Sequence, residues 1–237
     1  PVAASAAMPT SAWCGWRAGH RWIRFYIGMC EVTVAEWESV RDWAMLNGYD
    51  LAGVGTGCAS NHPVIQVSWD DCVKWCNASS ELDGRTPVYT VGGAVYRAGT
   101  DTNVEASATA DGDRLPTSAE WVHAASGGTQ TQGYTYSGSD TLGDVGWYQD
   151  NSGGAPCNFW AEHGTWPAGG KAANELGLYD MSGNVREWCF TSSGTGRYVL
   201  GGCWWSPESH CVPAQNAAGD PATRNNEYGF RRARRVP

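Results

Sequence analysis

Apolar positions recur at helical spacing in three stretches of the chain and gather into short extended runs elsewhere. Thr33 opens the first helical stretch. Glu36, three residues on, completes a capping box, and Trp37, Val40, Trp43 and Ala44 then fall on one face. Ser68 and Asp71 open the second stretch in the same way, ahead of Cys72, Val73, Trp75 and Cys76, and Thr117 with Glu120 opens a third, which Gly127 and Gly128 stop. Strands are predicted at 22–27, with Phe25, Tyr26 and Ile27 as the apolar part, and at 185–190, 198–205 and 228–232, with a short extended run at Val64 and Ile65. Gly92-Gly93 between Val88-Tyr89 and Ala94-Val95-Tyr96 reads as a hairpin turn. Residues 48–57 read as a Gly-rich loop and 100–112 as a polar surface insertion. Residues 128–177 read as loops, and 207–226 as an almost wholly small or polar segment between two strands. No repeat, heptad or linker interrupts the pattern. The expectation is one α+β domain spanning 1–237, with a large irregular share.

Composition narrows this picture. Of 237 residues, 42% are apolar and 17% charged, too apolar for a disordered chain, yet no run of about 18 apolar residues offers a transmembrane segment. A formal charge of −8 argues against nucleic acid as a partner. The nine cysteines, an odd number, cannot all close into intrachain disulfides, and no CxxC pair suggests a zinc ribbon. Cys72 and Cys76 sit four apart in a helix, close but badly placed to bridge, and most thiols are expected to be buried and reduced. The chain begins Pro1-Val2-Ala3-Ala4, which carries no leader, although a trimmed one stays open.

Five segments occur in a fixed order: Phe25-Tyr26-Ile27-Gly28 with Glu31-Val32-Thr33; His62-Pro63-Val64 with Val67-Ser68-Trp69-Asp70; Arg114-Leu115-Pro116-Thr117 with Ala119-Glu120-Trp121; Gly177-Leu178-Tyr179-Asp180-Met181-Ser182-Gly183-Asn184-Val185-Arg186-Glu187-Trp188; and Gly201-Gly202 through Gly229-Phe230-Arg231. Over roughly residues 20–235 the chain resembles the formylglycine-generating enzyme (sulfatase-modifying factor) family. The resemblance implies a C-type lectin-like fold of that enzyme's type.

In the family's enzymes a stretch Gly-Gly-Ser-Trp-x-Cys-x4-Cys supplies two cysteines that bind Cu(I) and oxidise a sulfatase cysteine to formylglycine. Two thiolates suit soft Cu(I) and leave it an open face. Here the stretch reads Gly201-Gly202-Cys203-Trp204-Trp205-Ser206 and then Cys211. Cys211 matches the second cysteine, Ser206 replaces the first, and the usual serine has become Cys203. An oxygen of very high pKa is a poor Cu(I) ligand, so the chain is expected not to be an enzyme and Cys211 to be a buried thiol. A copper-dependent thiol oxidase using Cys203 and Cys211, and an accessory domain without a variable surface, are the alternatives.

The same resemblance admits the variable proteins of diversity-generating retroelements. Their hypermutated block opens Gly-Gly-Ser-Trp and closes Gly-Phe-Arg, as Gly201-Gly202-Cys203-Trp204 and Gly229-Phe230-Arg231 do here. Randomised adenines in AAC codons give residues with codons ending in C. Ser206, Pro207, Ser209, His210, Val212, Pro213, Ala217, Ala218, Gly219, Ala222 and Thr223 belong to that set, as do the unmutated Asn216, Asn225 and Asn226, whereas Trp205, Glu208, Gln215 and Glu227 need other codons. All eighteen positions, within about 203–228, are the expected ligand-binding surface, with a protein or other macromolecule as ligand and display on a cell surface or virion. Trp205 is the flat anchor, and Glu208, His210 and Gln215 are adaptable polar neighbours. A template repeat and a reverse transcriptase gene beside the coding sequence would decide for this reading.

No cofactor is required. The family often binds calcium around Gly-Asn-Val-x-Glu, so the resemblance implies Ca2+ at Gly183, Asn184, Val185 and Glu187, whose oxygens suit that ion. Arg224 and Arg231 are expected to hold the variable loop through backbone carbonyls. His62 reads as a structural hydrogen-bonder, and His20, His123 and His163 have no partner motif. Of Arg231, Arg232, Arg234 and Arg235, two are expected to pair with acidic residues and two to be solvated.

Overall fold

The three capping signals place three helices: α1 (Val34–Leu46), α2 (Trp69–Leu82) and α3 (Ser118–Ala125), each with both reciprocal bonds of its capping box formed. A fourth, α4 (Leu142–Val145), is one turn long and lies where the sequence reads as loop. The computed structural model describes the backbone of residues 11–18, 21–157 and 159–236 and the side chains of 24–157 and 159–236. The Cys14 thiol and His20 lie outside the described residues.

The strands are β1 (Ser11–Ala18), β2 (Arg21–Gly28), β3 (Tyr89–Val91), β4 (Ala94–Val95), β5 (Glu105–Ala106), β6 (Asp113–Arg114), β7 (Arg186–Ser193), β8 (Gly196–Leu200), β9 (Ala217–Gly219), β10 (Tyr228–Gly229) and β11 (Ala233–Arg235). They form three sheets, ordered β1-β2-β11-β6, β10-β7-β8-β9 and β4-β3-β5. The α+β expectation holds, but three strand readings need correction. The predicted strand 198–205 stops at Leu200, because Gly201 and Gly202 take φ of 93° and 74° and turn the chain inward. The predicted strand 228–232 stops at Gly229: β10 pairs in parallel with β7, and the chain joins another sheet only at β11, which starts at Ala233 and pairs with β2 and β6. The 207–226 loop contains β9, which pairs Ala217 with Val199 and Gly219 with Arg197. The insertion 100–112 is not wholly surface either, since β5 pairs with β3, and Val104 and Ala110 join the core.

Tryptophan fills the space between these layers. Trp37 and Trp75 stack at 5.9 Å and 6°, and Phe230 meets both edge-on. The indole N–H groups of the five fully buried tryptophans all have acceptors: Trp37 donates to the Val54 carbonyl, Trp69 to Cys189, Trp75 to Trp37, Trp188 to Val67, and Trp121 to Glu187. These bonds let the five rings be fully buried without the cost of an unpaired N–H.

Cys72, Cys76, Cys189, Cys203 and Cys211 are buried free thiols, as expected, and Cys30 is a half-buried one. Cys58 and Cys157 are instead joined as a disulfide. Among the described residues no helix is long and apolar enough to cross a membrane. The terminal arginines also depart from expectation. Arg231 pairs with Glu187, Arg232 with Glu36 and Asp113, and Arg234 with Asp113 and Asp83, so three pair with carboxylates where two were expected. Arg235 donates to the Ala108 carbonyl. The pairing follows from β11 lying between β2 and β6, which brings Asp113 beside it.

A candidate binding face and the ion pair behind it

The face begins where Gly202 leaves β8. A Cβ there would come within 2.6 Å of the Cys211 sulfur and 2.9 Å of the His210 carbonyl, so the two ends of the 203–211 turn are in direct contact. Trp204 is a pin. Its N–H donates to the Asn184 carbonyl at 2.8 Å, its indole to the Asn226 carbonyl at 3.0 Å, and its carbonyl accepts from Ser152 Oγ at 2.7 Å. Ser206 is 1% exposed, and its Oγ accepts from the Cys203 N–H at 2.9 Å and from Arg186 Nη2 at 3.2 Å.

The far end is pinned to α2 and the segment before it. Asp71, already the capping partner of Ser68, takes a bidentate pair from Arg224 at 2.6 and 2.8 Å. Arg224 therefore holds the loop through a carboxylate, not through the carbonyls expected of it. The Trp69 N–H donates to the Pro221 carbonyl and the Gln66 N–H to that of Asn225.

Between these pins the expected surface divides. Pro207, Glu208, Ser209, His210, Gln215, Asn216, Ala218 and Ala222 are exposed, and Trp205, Val212, Ala217, Thr223, Asn225, Asn226 and Glu227 are half-buried. Ser206, Pro213 and Gly219 are buried and are corrected out of the surface. Ser206 is turned inward by its hydrogen bonds, Gly219 faces the Trp188 ring, and Pro213 follows the buried Cys211 into the interior.

A neighbouring wall escaped the sequence analysis. His163 stands edge-on to Trp205 at 5.1 Å, Phe159 lies 5.9 Å from Trp204, and Trp160 is 66% exposed. Its signal was an Asn-Phe-Trp run inside a glycine-rich loop, where an exposed aromatic has no packing purpose.

Behind the face, Arg231 and Glu187 form a fully buried bidentate pair at 2.6 and 2.7 Å. As expected, Arg231 also reaches carbonyls, those of Gly28, Met29 and Tyr179. Trp121 donates to Glu187 at 2.7 Å, and the Asn184 side chain is bonded to Glu31 and Trp166. The set Gly183, Asn184, Val185 and Glu187 therefore does not fit calcium: its one carboxylate has both oxygens on N–H donors, and an ion would have to displace a guanidinium.

Two further buried carboxylates lie in the field of this pair. Burial pushes Glu31 well above the carboxylate range, helped by Asp180 and Glu187, and pushes Asp180 up to about 6. A carboxyl with a raised folded pKa stabilises the fold at low pH and loses that contribution as pH rises through about 6. Moving Asp180 from 3.8 to about 6 corresponds to about 3 kcal/mol at 1.36 kcal/mol per pH unit. Asp180→Asn should thus exceed the wild type in stability at pH 7.5, and the advantage should shrink toward pH 5. Urea midpoints across that range test it, and parallel curves would refute it.

The sulfatase-modifying factor enzyme 1-like domain matches residues 18–236 of this chain. The chaperone protein LppX of Paenibacillus barcinonensis is 39% identical over 204 residues, covering 77% of this chain and 70% of that protein. The formylglycine-generating enzyme of Thermomonospora curvata is 30% identical over 181 residues, covering 71% of this chain, which spans only 40% of the enzyme. Among solved structures, CarF superposes with a TM-score of 0.80 at 28% identity, covering 98% of this chain and 100% of CarF. Treponema denticola variable protein 1 superposes with 0.73 at 28% identity, covering 96% and 92%.

Proposed function

The chain belongs to the sulfatase-modifying factor enzyme 1-like family, with its C-type lectin-like fold, and from that membership we propose that it is a non-enzymatic binding protein presenting a variable surface, as a retroelement variable protein does. One observation carries the reading. Where the family's copper chemistry needs a first thiol, Ser206 is buried and committed to hydrogen bonds with Cys203 and Arg186. Cys211 is 0% exposed and burial pushes its thiol up to about 12, while Cys203 is 1% exposed and also pushed up by burial. Neither thiol offers a soft metal a ready thiolate with an open face.

The rest of the face suits recognition. The backbone is held by Trp204, Ser206 and Arg224, so exposed side chains can change without moving it. Trp205 and Trp160 offer rigid apolar area at low entropic cost, and Glu208, His210 and Gln215 offer adaptable polar contacts. The proposed ligand is a protein or other macromolecule, met at a cell surface or virion. Treponema denticola variable protein 1 and the chaperone LppX are named for variability and for assisting another protein, which supports binding over catalysis.

A library randomising Glu208, Ser209, His210, Gln215, Asn216 and Ala218 tests the reading. Folded clones should dominate, each substitution shifting stability by no more than about 0.5 kcal/mol, the range of ordinary surface changes. Wild-type protein should take up no stoichiometric Cu(I) at Cys211. A library that mostly fails to fold, or tight copper binding with turnover of a sulfatase peptide, would overturn the proposal.

A further inference from the structure

At the foot of the wall beside the binding face, Cys58, His62 and Cys157 bring their ligand atoms within 4.8 Å of one another. The disulfide, with Cα atoms 5.3 Å apart, accounts for the two sulfurs but not for the imidazole beside them. His62 is 2% exposed, and its Nδ1 shares a 3.1 Å hydrogen bond with Thr165 Oγ1, which fixes the ring. Its backbone is fixed as well: the N–H donates to the Ala59 carbonyl, and the carbonyl accepts from Val34 at the start of α1. On the other side, a Cβ at Gly164 would come within 1.9 Å of the Cys157 carbonyl, so Gly164 lies directly against Cys157.

Two thiols and a neutral imidazole held this close are a donor set for a thiophilic closed-shell cation. We propose that in the reduced protein Cys58, Cys157 and His62 ligate one zinc ion, and that the disulfide is the oxidised form of the same site. Three protein ligands leave the fourth tetrahedral position to water. Loading releases the two thiol protons. In oxidation by a small-molecule disulfide such as oxidised glutathione, the Cys58 thiolate attacks one sulfur and expels a glutathione thiolate. The Cys157 thiolate then attacks Cys58 of the mixed disulfide and expels the second. Two electrons pass to the reagent and zinc leaves. Either link ties the loop between α1 and α2 to the wall that carries Phe159, Trp160 and His163. The assignment does not rest on the binding reading.

The test uses the full chain, reduced and then freed of reductant without air, titrated with zinc against a chromophoric chelator. One zinc per chain is expected in the reduced protein and none after oxidation. Cys58→Ser and His62→Gln should each weaken binding at least ~10–100-fold, the loss that even outer partners of metal ligands produce. Cobalt(II) in place of zinc should give a sulfur-to-metal absorption that Cys157→Ser removes. If a cysteine variant does not fold, His62→Gln decides, since it leaves the disulfide available. No stoichiometric zinc in the reduced wild type, or undiminished binding in Cys58→Ser or His62→Gln, overturns the proposal.

Discussion

Arg231→Ala should abolish stable folding or come close to it. Arg231 and Glu187 are both 0% exposed, so removing the guanidinium leaves a buried carboxylate without its counter-charge, a change that costs about 3–5 kcal/mol. That is a large part of the 5–15 kcal/mol typical of a domain. Asp180, also buried, loses the same positive neighbour, so the cost should fall at the upper end. Arg231→Lys should not rescue. Arg231 bonds both Glu187 oxygens and the carbonyls of Gly28, Met29 and Tyr179, and one ammonium cannot reproduce that planar fork. Urea unfolding of Arg231→Ala, Arg231→Lys and Glu187→Gln measures this. A lysine variant within about 1 kcal/mol of wild type would show that charge alone, not the fork, holds the three segments together.

Gly219→Asn should destabilise where Ala218→Asn does not. Both are substitutions that a randomised adenine codon could produce or reverse, and both sit in β9. A Cβ at Gly219 would come within 2.6 Å of Trp188 Cη2, and Trp188 cannot yield easily: its indole donates to the Val67 carbonyl at 3.1 Å, and Tyr228 packs edge-on at 4.9 Å. Overpacking of this kind costs about 1–3 kcal/mol, whereas an exposed position changes stability by about 0.5 kcal/mol or less. Thermal and urea denaturation of the two variants should separate them clearly. Equal stabilities would mean that the Trp188 side of β9 is open, and that the division of the face into free and fixed positions is wrong.

Much of the fold was legible locally. Thr33 with Glu36, Ser68 with Asp71, and Thr117 with Glu120 marked helix starts because a capping box closes within four residues. Gly92 and Gly93 marked the β3–β4 turn because both take positive φ. By contrast, β9 was read as loop because Ala217, Ala218 and Gly219 carry no strand preference, and their pairing with β8 alone makes them a strand. The predicted strand at 228–232 failed for a related reason. Only Tyr228 and Gly229 find a partner strand there, in β7, and the chain pairs again only from Ala233, beside β2 and β6.

The sequence by itself determined the helix starts, the family likeness and the oxygen at Ser206, because each rests on residues close together in the chain or on identity at a matched position. The tertiary structure decided which positions between Trp205 and Glu227 are free, that Arg224 answers Asp71, that Trp160 and His163 wall the face, and that His62 meets Cys58 and Cys157. These are pairings between segments far apart in the chain. No local pattern of apolar and polar residues encodes them, since they arise only when packing the core brings those segments to the same place.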